Sequence, residues 1–232
     1  MERCYRGIVS SCLLLLVIAA PLFQPVRAEP FPSLMLSFQA ITNNSSSSVA
    51  DGQANLHMEV IDLGSNQARF RFTNDSAFSS LTDVYFDDGT LLGISHIASS
   101  SGVSFSQGAS PPNLPGGNAM SPKFETTQGF LADSNPPVSP NGVHQGEWLA
   151  IDFQLLPGKT FLDLIDSLAL PSGGEWLRVG LHVQSFAGGF SESFVNGSEF
   201  NYVTSAIPEP GEHTLLLAGL VLLAAMARRQ RM

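Results

Sequence analysis

Cysteine is nearly absent from this sequence. The 232 residues contain two, Cys4 and Cys12, and both lie in an N-terminal stretch that reads as a removable leader. The remainder therefore has no disulfide, no thiol nucleophile and no cysteine-ligated metal or iron–sulfur site. Its stability rests on an apolar core alone. Basic residues are scarce in the same region. Of 11 Lys and Arg, three stand near the start (Arg3, Arg6, Arg27) and three at the other end (Arg228, Arg229, Arg231). Between Glu29 and Glu209 only Arg69, Arg71, Lys123, Lys159 and Arg178 face 18 acidic residues, a net charge of −13. A surface of that sign repels phosphate backbones and excludes a nucleic-acid partner. The common catalytic and nucleotide motifs are missing too: no G-x-S-x-G elbow, no P-loop and no G-x-G-x-x-G. His57, His96, His144 and His182 show no H-x-H or H-x-x-x-H spacing. His57 and His182 fall on the polar face of expected strands and read as surface residues rather than zinc ligands.

What is present begins with the leader. "MERCYRGIVSSCLLLLVIAAPLFQPVRAEP" has a basic start, an apolar stretch from Cys12 to Ala20, and Val26 and Ala28 at the −3 and −1 positions of a small-residue cleavage site. This is the pattern of a secretory signal peptide over 1–28, cut between Ala28 and Glu29. An uncleaved anchor is the alternative. Its apolar core is short for a span, and Pro21 and Pro25 break the helix.

The middle, 29–205, reads as one β-rich domain. Period-two alternation marks half-buried strands. It aligns Leu34, Leu36 and Phe38; Leu56, Met58 and Val60; Phe70 and Phe72, with Arg69 and Arg71 outward; Leu149, Ile151, Phe153 and Leu155; and Leu177, Val179, Leu181 and Val183. "DLGSNQ" (62–67) reads as a turn between two strands. Asp88-Gly89 in "VYFDDGTLL" predicts a tight hairpin. In "GKTFLDLIDSLAL", Phe161, Leu164, Ile165 and Leu168 recur at helical spacing, with Thr160 placed to cap. "TNNSSSSVADGQ" (42–53) reads as a polar surface loop open to glycosylation, and 106–122 and 133–142 as proline-rich loops. With 21 glycines, 15 prolines and one short helix, the expected class is all-β, a β-sandwich or jelly roll.

Candidate chemistry is sparse. Asp83, Asp87 and Asp88 before Gly89 offer oxygen ligands to Ca²⁺, without EF-hand spacing. No other cofactor is implied. Glu147 and Asp152 form a carboxylate pair whose side chains point to opposite faces of one strand, unlike a glycosidase pair. Trp148 and Trp176, near Glu147 and Glu175, could stack on sugar rings or pack against a loop or the helix.

The far end carries the strongest pattern. Leu215 to Ala227 is an uninterrupted run of 13 apolar or small residues, about 20 Å of helix. A membrane helix over about 213–227 is expected, slightly short for the bilayer core. Arg228, Arg229 and Arg231 would hold its end in the cytoplasm. Pro208-Glu209-Pro210 would then stand just outside the bilayer, kept extended by its prolines. The ordered trio over 206–232 resembles a PEP-CTERM sorting signal. That resemblance implies a partner: an exosortase-type membrane processing enzyme that recognises Pro208, Glu209 and Pro210. The helix would then be a temporary anchor and the arginines the topology stop. The stretches "TDVYFDDGTLLGI", "GVSFSQGASPPNLPGG" and "LRVGLHVQSFAGGFSESFVN" also resemble a domain found ahead of such tags, over most of residues 55–200. That likeness implies no site.

Together these readings give an exported protein, passed through the secretion machinery and held at the inner membrane before release to the cell surface or outside. The expected role is a non-enzymatic envelope or biofilm-matrix protein, associated with extracellular polysaccharide. The alternatives are a carbohydrate-binding or glycan-active surface protein, and a periplasmic protein that keeps its C-terminal anchor.

Overall fold

The computed structural model describes residues 33–87, 91–127, 129–169 and 176–203. Ala28 and Glu29, Asp88, the Pro208-Glu209-Pro210 motif, the apolar run 213–227, and Arg228, Arg229 and Arg231 lie outside the described residues. Among the described residues no helix is long and apolar enough to cross a membrane.

The alternating residues build the strands expected of them. β1 (Ser33–Ala40) buries Leu34, Leu36 and Phe38, and β2 (Leu56–Gly64) buries Leu56, Met58 and Val60. β3 (Gln67–Asn74) buries Phe70 and Phe72. The turn between β2 and β3 uses positive φ at Gly64, Ser65 and Asn66. β4 (Ser80–Asp87) and β5 (Leu91–Ser99) follow, then two short strands, β6 (Phe105–Gln107) and β7 (Leu131–Ser134). β8 (Glu147–Leu155), β9 (Arg178–Gln184) and β10 (Glu192–Val203) complete the set.

These ten strands make one antiparallel sheet, in the order β5-β8-β3-β2-β1-β10-β9-β4-β7-β6. β3 and β4 stand five places apart in it. In a flat sheet that separation would be about 24 Å, at about 4.8 Å per strand. Instead Phe70 of β3 meets Phe86 of β4 with ring centroids 5.1 Å apart, and Phe153 of β8 meets Phe86 at 4.7 Å. The sheet has therefore rolled nearly into a barrel around these rings. This corrects the sandwich or jelly-roll expectation. Alternation marks an inward face, but two facing sheets and one rolled sheet give the same pattern.

A second correction concerns Asp88-Gly89. The strands on either side of it do not form a hairpin: among the described residues β4 pairs with β7 and β9, and β5 with β8. β4 and β5 therefore stand on different flanks of the rolled sheet.

The amphipathic segment forms helix α2 (Phe161–Ala169), with Leu164, Ile165 and Leu168 buried and Asp163 and Asp166 exposed. Its start is a capping box. The Asp163 carboxylate accepts from the Thr160 backbone N–H (2.7 Å), and Thr160 Oγ1 accepts from the Asp163 N–H (3.3 Å). The Thr160 hydroxyl also donates to that carboxylate (2.7 Å), and this bond first, then the one from the Thr160 backbone N–H, holds the Asp163 carboxyl below its ordinary range.

The serine-rich stretch read as a loop is in fact a second helix, α1 (Ser46–Asn55). It has no apolar stripe, so periodicity could not reveal it. Anchors hold it instead. Ser45 caps its N-terminus. Buried Glu192 accepts from Thr42 Oγ1 (2.6 Å) and from the backbone N–H groups of Asn44 (2.7 Å) and Ser45 (2.8 Å). Gly52 faces the Phe194 ring so closely that a β-carbon there would stand 2.1 Å from Phe194 Cζ.

The two helices mark opposite ends of the barrel. Ser33 pairs with Val203 at the end where β8 runs into α2, while Ala40 pairs with Phe194 at the end closed by α1. The described chain thus enters and leaves the barrel at the α2 end.

Gly52→Ala separates propensity from packing. Alanine improves an exposed helix position by about 1 kcal/mol, but overpacking a core costs about 1–3 kcal/mol. We expect a net loss of about 1–2 kcal/mol in urea denaturation, partly recovered when Phe194→Leu is added. An unchanged or raised midpoint for Gly52→Ala would contradict the α1–Phe194 contact.

Candidate functional site

The outer face of β4, β9 and β10 is not a solvated face. The chain between β6 and β7 folds back over it, and Tyr85, Leu114, Phe124 and Val195 form a second, smaller buried cluster. Gly180, at an outward position of β9, makes room for this layer. A β-carbon there would stand 2.6 Å from Leu114 Cδ2 and 3.0 Å from Phe124 Cζ.

Arg178, the first residue of β9, ties the layer down. Its guanidinium pairs with the Asp87 carboxylate and donates to the carbonyls of Pro122 (2.9 Å) and Lys123. It also lies over the rings of Trp176 (5.0 Å to the centroid) and Phe124 (5.3 Å). Asp87 further accepts from the Glu125 N–H (3.1 Å). Two charged side chains and two aromatic rings thus hold one end of the loop against the barrel.

Farther along the same face lies a row of polar residues at paired positions: Asp133 on β7, Asp83 on β4, His182 on β9 and Ser193 on β10. His182 is not a surface residue, as its strand position had suggested. Its side chain is 14% exposed, and Nδ1 lies 2.9 Å from Asp83 Oδ2, which also accepts from Thr82 Oγ1 (2.8 Å). Burial, and then the charges of Asp83 and Asp133, raise the Tyr85 hydroxyl well above its ordinary pKa. It therefore stays protonated and donates to the Pro111 carbonyl (3.0 Å). The Asp133 carboxyl is pushed up to about 6, first by burial and then by the charge of Asp83 and its hydrogen bond with that residue.

An aspartate on Nδ1 of a histidine, with a serine in the next register position, has the residue types of a charge-relay triad. The geometry does not couple them. Ser193 is 1% exposed, and its Oγ is buried without a hydrogen-bond partner, so it has no bond to His182. The two clefts described next are not lined by any residue of this row.

One cleft, of about 220 Å³, runs between α2 and the strands, lined by Ser121, Ser167, Trp176, Arg178 and Asn196 among others. The other, of about 470 Å³, lies within the covering loop, between Asn113, Asn118, Lys123 and Glu125.

The remaining sequence candidates are dispersed. Asp83 and Asp87 are not brought together. Four strand residues apart, about 13 Å along β4, each serves its own partner. Among the described residues no group of three or more His, Cys, Asp and Glu is placed to hold a metal ion. Glu147 accepts from the His144 N–H (2.9 Å), while Asp152 takes a bidentate bond from Arg69 (2.7 and 2.9 Å) with His96 3.6 Å away. That bond raises the Arg69 pKa against the effect of its burial. Trp148 lies on β8 beneath Arg71 (5.6 Å), and Trp176 precedes β9. Four strands separate β8 from β9 in the sheet order, so the two tryptophans form no common platform.

Comparison with known protein families, curated proteins and solved structures returned no match.

Arg178→Ala removes the tie between loop and barrel and leaves Asp87 largely buried without its cation. Breaking such a pair costs about 3–5 kcal/mol. We expect urea stability to fall by that order, and limited proteolysis to cut first between residues 118 and 127. A loss below about 1 kcal/mol with unchanged cleavage would show that the loop is held by other means.

Proposed function

We propose that this chain is an exported cell-envelope or extracellular-matrix protein, delivered by the secretion machinery and sorted through a PEP-CTERM-type signal. The observation that carries this reading is the ordered trio of Pro208-Glu209-Pro210, the apolar run 215–227 and the arginines 228, 229 and 231. The signal-peptide pattern over 1–28 supports it, because the two together place 29–205 outside the inner membrane. So does the distance between domain and tag: β10 ends at Val203, with four residues between it and Pro208. The tripeptide would sit at the membrane surface, open to an exosortase-type enzyme, and the barrel would remain whole after processing. On this reading Pro208, Glu209 and Pro210 are the recognition residues. The barrel is a passive or polysaccharide-associated component of the matrix.

Carbohydrate binding is the second reading, favoured by the cleft beside Trp176. An indole ring flanked by Ser121, Ser167 and Asn196 combines an apolar face with hydrogen-bonding groups, the combination that a single sugar unit requires.

Two measurements test these readings. Replacing Pro208-Glu209-Pro210 by three alanines should leave the full-length protein in the inner membrane and remove the shortened product from the outside. Export of the variant at the wild-type product size would sink the sorting proposal. For the cleft, full-length protein in detergent should bind glycans on an array, with Trp176→Ala weakening binding at least tenfold and Trp148→Ala leaving it unchanged. No retention of the wild type, or equal loss in both variants, would remove the second reading.

A further inference from the structure

Asp83 and Asp133 occupy directly paired positions on β4 and β7, which sets their β-carbons about 4.5–5.5 Å apart on one face of the sheet. Asp83 is 2% exposed, and its Oδ1 is buried with no hydrogen-bond partner. Its Oδ2 is already engaged by Thr82 and His182. Two bare carboxylates at this spacing repel, and an empty buried acceptor is costly. One proton resolves both conflicts: it neutralises one acid and supplies the donor that Oδ1 lacks.

We propose that Asp133 and Asp83 share a single proton, and that this proton is a pH-gated latch on the β6–β7 ribbon and the loop between its strands. The proposal is independent of the sorting reading.

The ribbon is the part of the sheet suited to such control. β6 has three residues and β7 four, so few ladder bonds hold them. Asp133 also holds the loop directly, because its Oδ2 accepts from the Ser110 N–H (3.3 Å). Beside that bond, Tyr85 donates to Pro111. The latch therefore lies where the loop starts back over the barrel.

Titratable and charged groups face the pair from β4 and β9, and uncharged ones from β6, the loop and β10. From β4 come Tyr85, which stays protonated, and Asp87, which is held by Arg178. From β9 comes His182, bonded to the other oxygen of Asp83. β6 and the loop contribute Ser106 and Ser110, and β10 contributes Ser193, all uncharged.

The direction follows from the folded pKa of Asp133, raised from 3.8 to about 6. A raised acid favours the fold that binds its proton. The contribution of the latch is complete below 3.8 and is lost as the pH rises through about 6. Above that, the ionised pair repels across β4 and β7. The ribbon loosens, and the cover over Tyr85, Leu114 and Phe124 loosens with it.

Hydrogen exchange on the full-length chain in detergent tests this. After correction for intrinsic rates, protection of peptides within 105–127 should fall at least tenfold between pH 5 and pH 7.5, while β1 to β3 stay constant. Asp133→Asn carries a permanent donor toward Asp83 and should keep the ribbon protected at both pH values. If that variant does not fold, carboxyl ¹³C titration of the wild type replaces it, and Asp133 should show a midpoint near 6. Wild-type protection that does not change with pH, an Asp133→Asn variant as pH-sensitive as the wild type, or a midpoint near 4 would each overturn the latch.

Discussion

The edge-on packing of Phe86 against Phe70 and Phe153 is the constraint on which the rest of the structure depends. These rings come from strands on opposite flanks of a single sheet, and they meet with centroids 4.7–5.1 Å apart. Phe130 adds a further edge contact to Phe153 at 5.6 Å, from the segment leading into β7. Aromatic pairs in this geometry contribute about 0.5–1.5 kcal/mol beyond the area they bury. Their larger consequence is topological. Once the rings meet, the sheet must roll, and its interior is filled without disulfides, since the described residues contain no cysteine. Helix α1 then seals one end against Phe194 and α2 covers the other.

Rolling also creates the acidic layer. With one face of β4, β9 and β10 committed to the ring cluster, the opposite face would be solvated in a bare barrel. The chain between β6 and β7 covers it instead, and Asp83, Tyr85 and His182 are buried from the outside. The difference between Asp87 and Asp83 shows how the layer manages its charge. Asp87 meets a cation in Arg178, so the loop closes over a neutral pair. Asp83 has only His182 and the hydroxyl of Thr82 on one oxygen and no hydrogen-bond partner on the other, with Asp133 at the paired position of the next strand. A region carrying 18 acidic residues against five basic ones has few cations to spend inside, and in this row a hydrogen-bonded histidine takes the place of one.

Much of the barrel was legible from alternation because inward residues on β1, β2, β3, β8 and β9 recur at period two with few exceptions. Helix α2 was legible because its apolar stripe and its Thr160 cap agree. Three features were not. Helix α1 is held by Glu192, more than 130 residues away in sequence, and by the absence of a side chain at Gly52; neither leaves a local period. The Asp88-Gly89 pair has hairpin composition, yet the strands beside it pair elsewhere, since the ring cluster draws β4 and β5 to different flanks. The covering of the outward face of β4 and β9 depends on a proline-rich loop whose docking no local pattern encodes. One signal did point to it. In "RVGLHV", Gly180 leaves a gap at an outward position, and outward Tyr85 supplies a large ring one strand away. A glycine facing an aromatic on an ostensibly solvated face is what a covering layer requires.

The position of the chain ends bears on the proposed sorting. Because Ser33 pairs with Val203, a tag that follows β10 and a leader that precedes β1 both approach the barrel at the α2 end. An anchored precursor would therefore turn that end toward the membrane and the α1 end away from it. The loops at the α1 end carry Phe78, 65% exposed, and Phe190, 42% exposed. The acidic row lies on the side wall, and its covering loop runs along that wall from Ile41 and Thr42 to the cleft beside α2. Processing at the tag would thus remove the tether without disturbing a strand, since its tripeptide lies beyond the last residue of β10. The barrel's stability comes from contacts between residues 34 and 195, and the proposed address lies outside them. The separation is physical: the ring cluster holds the domain together, and on the proposed reading a separate stretch of sequence would decide where it goes.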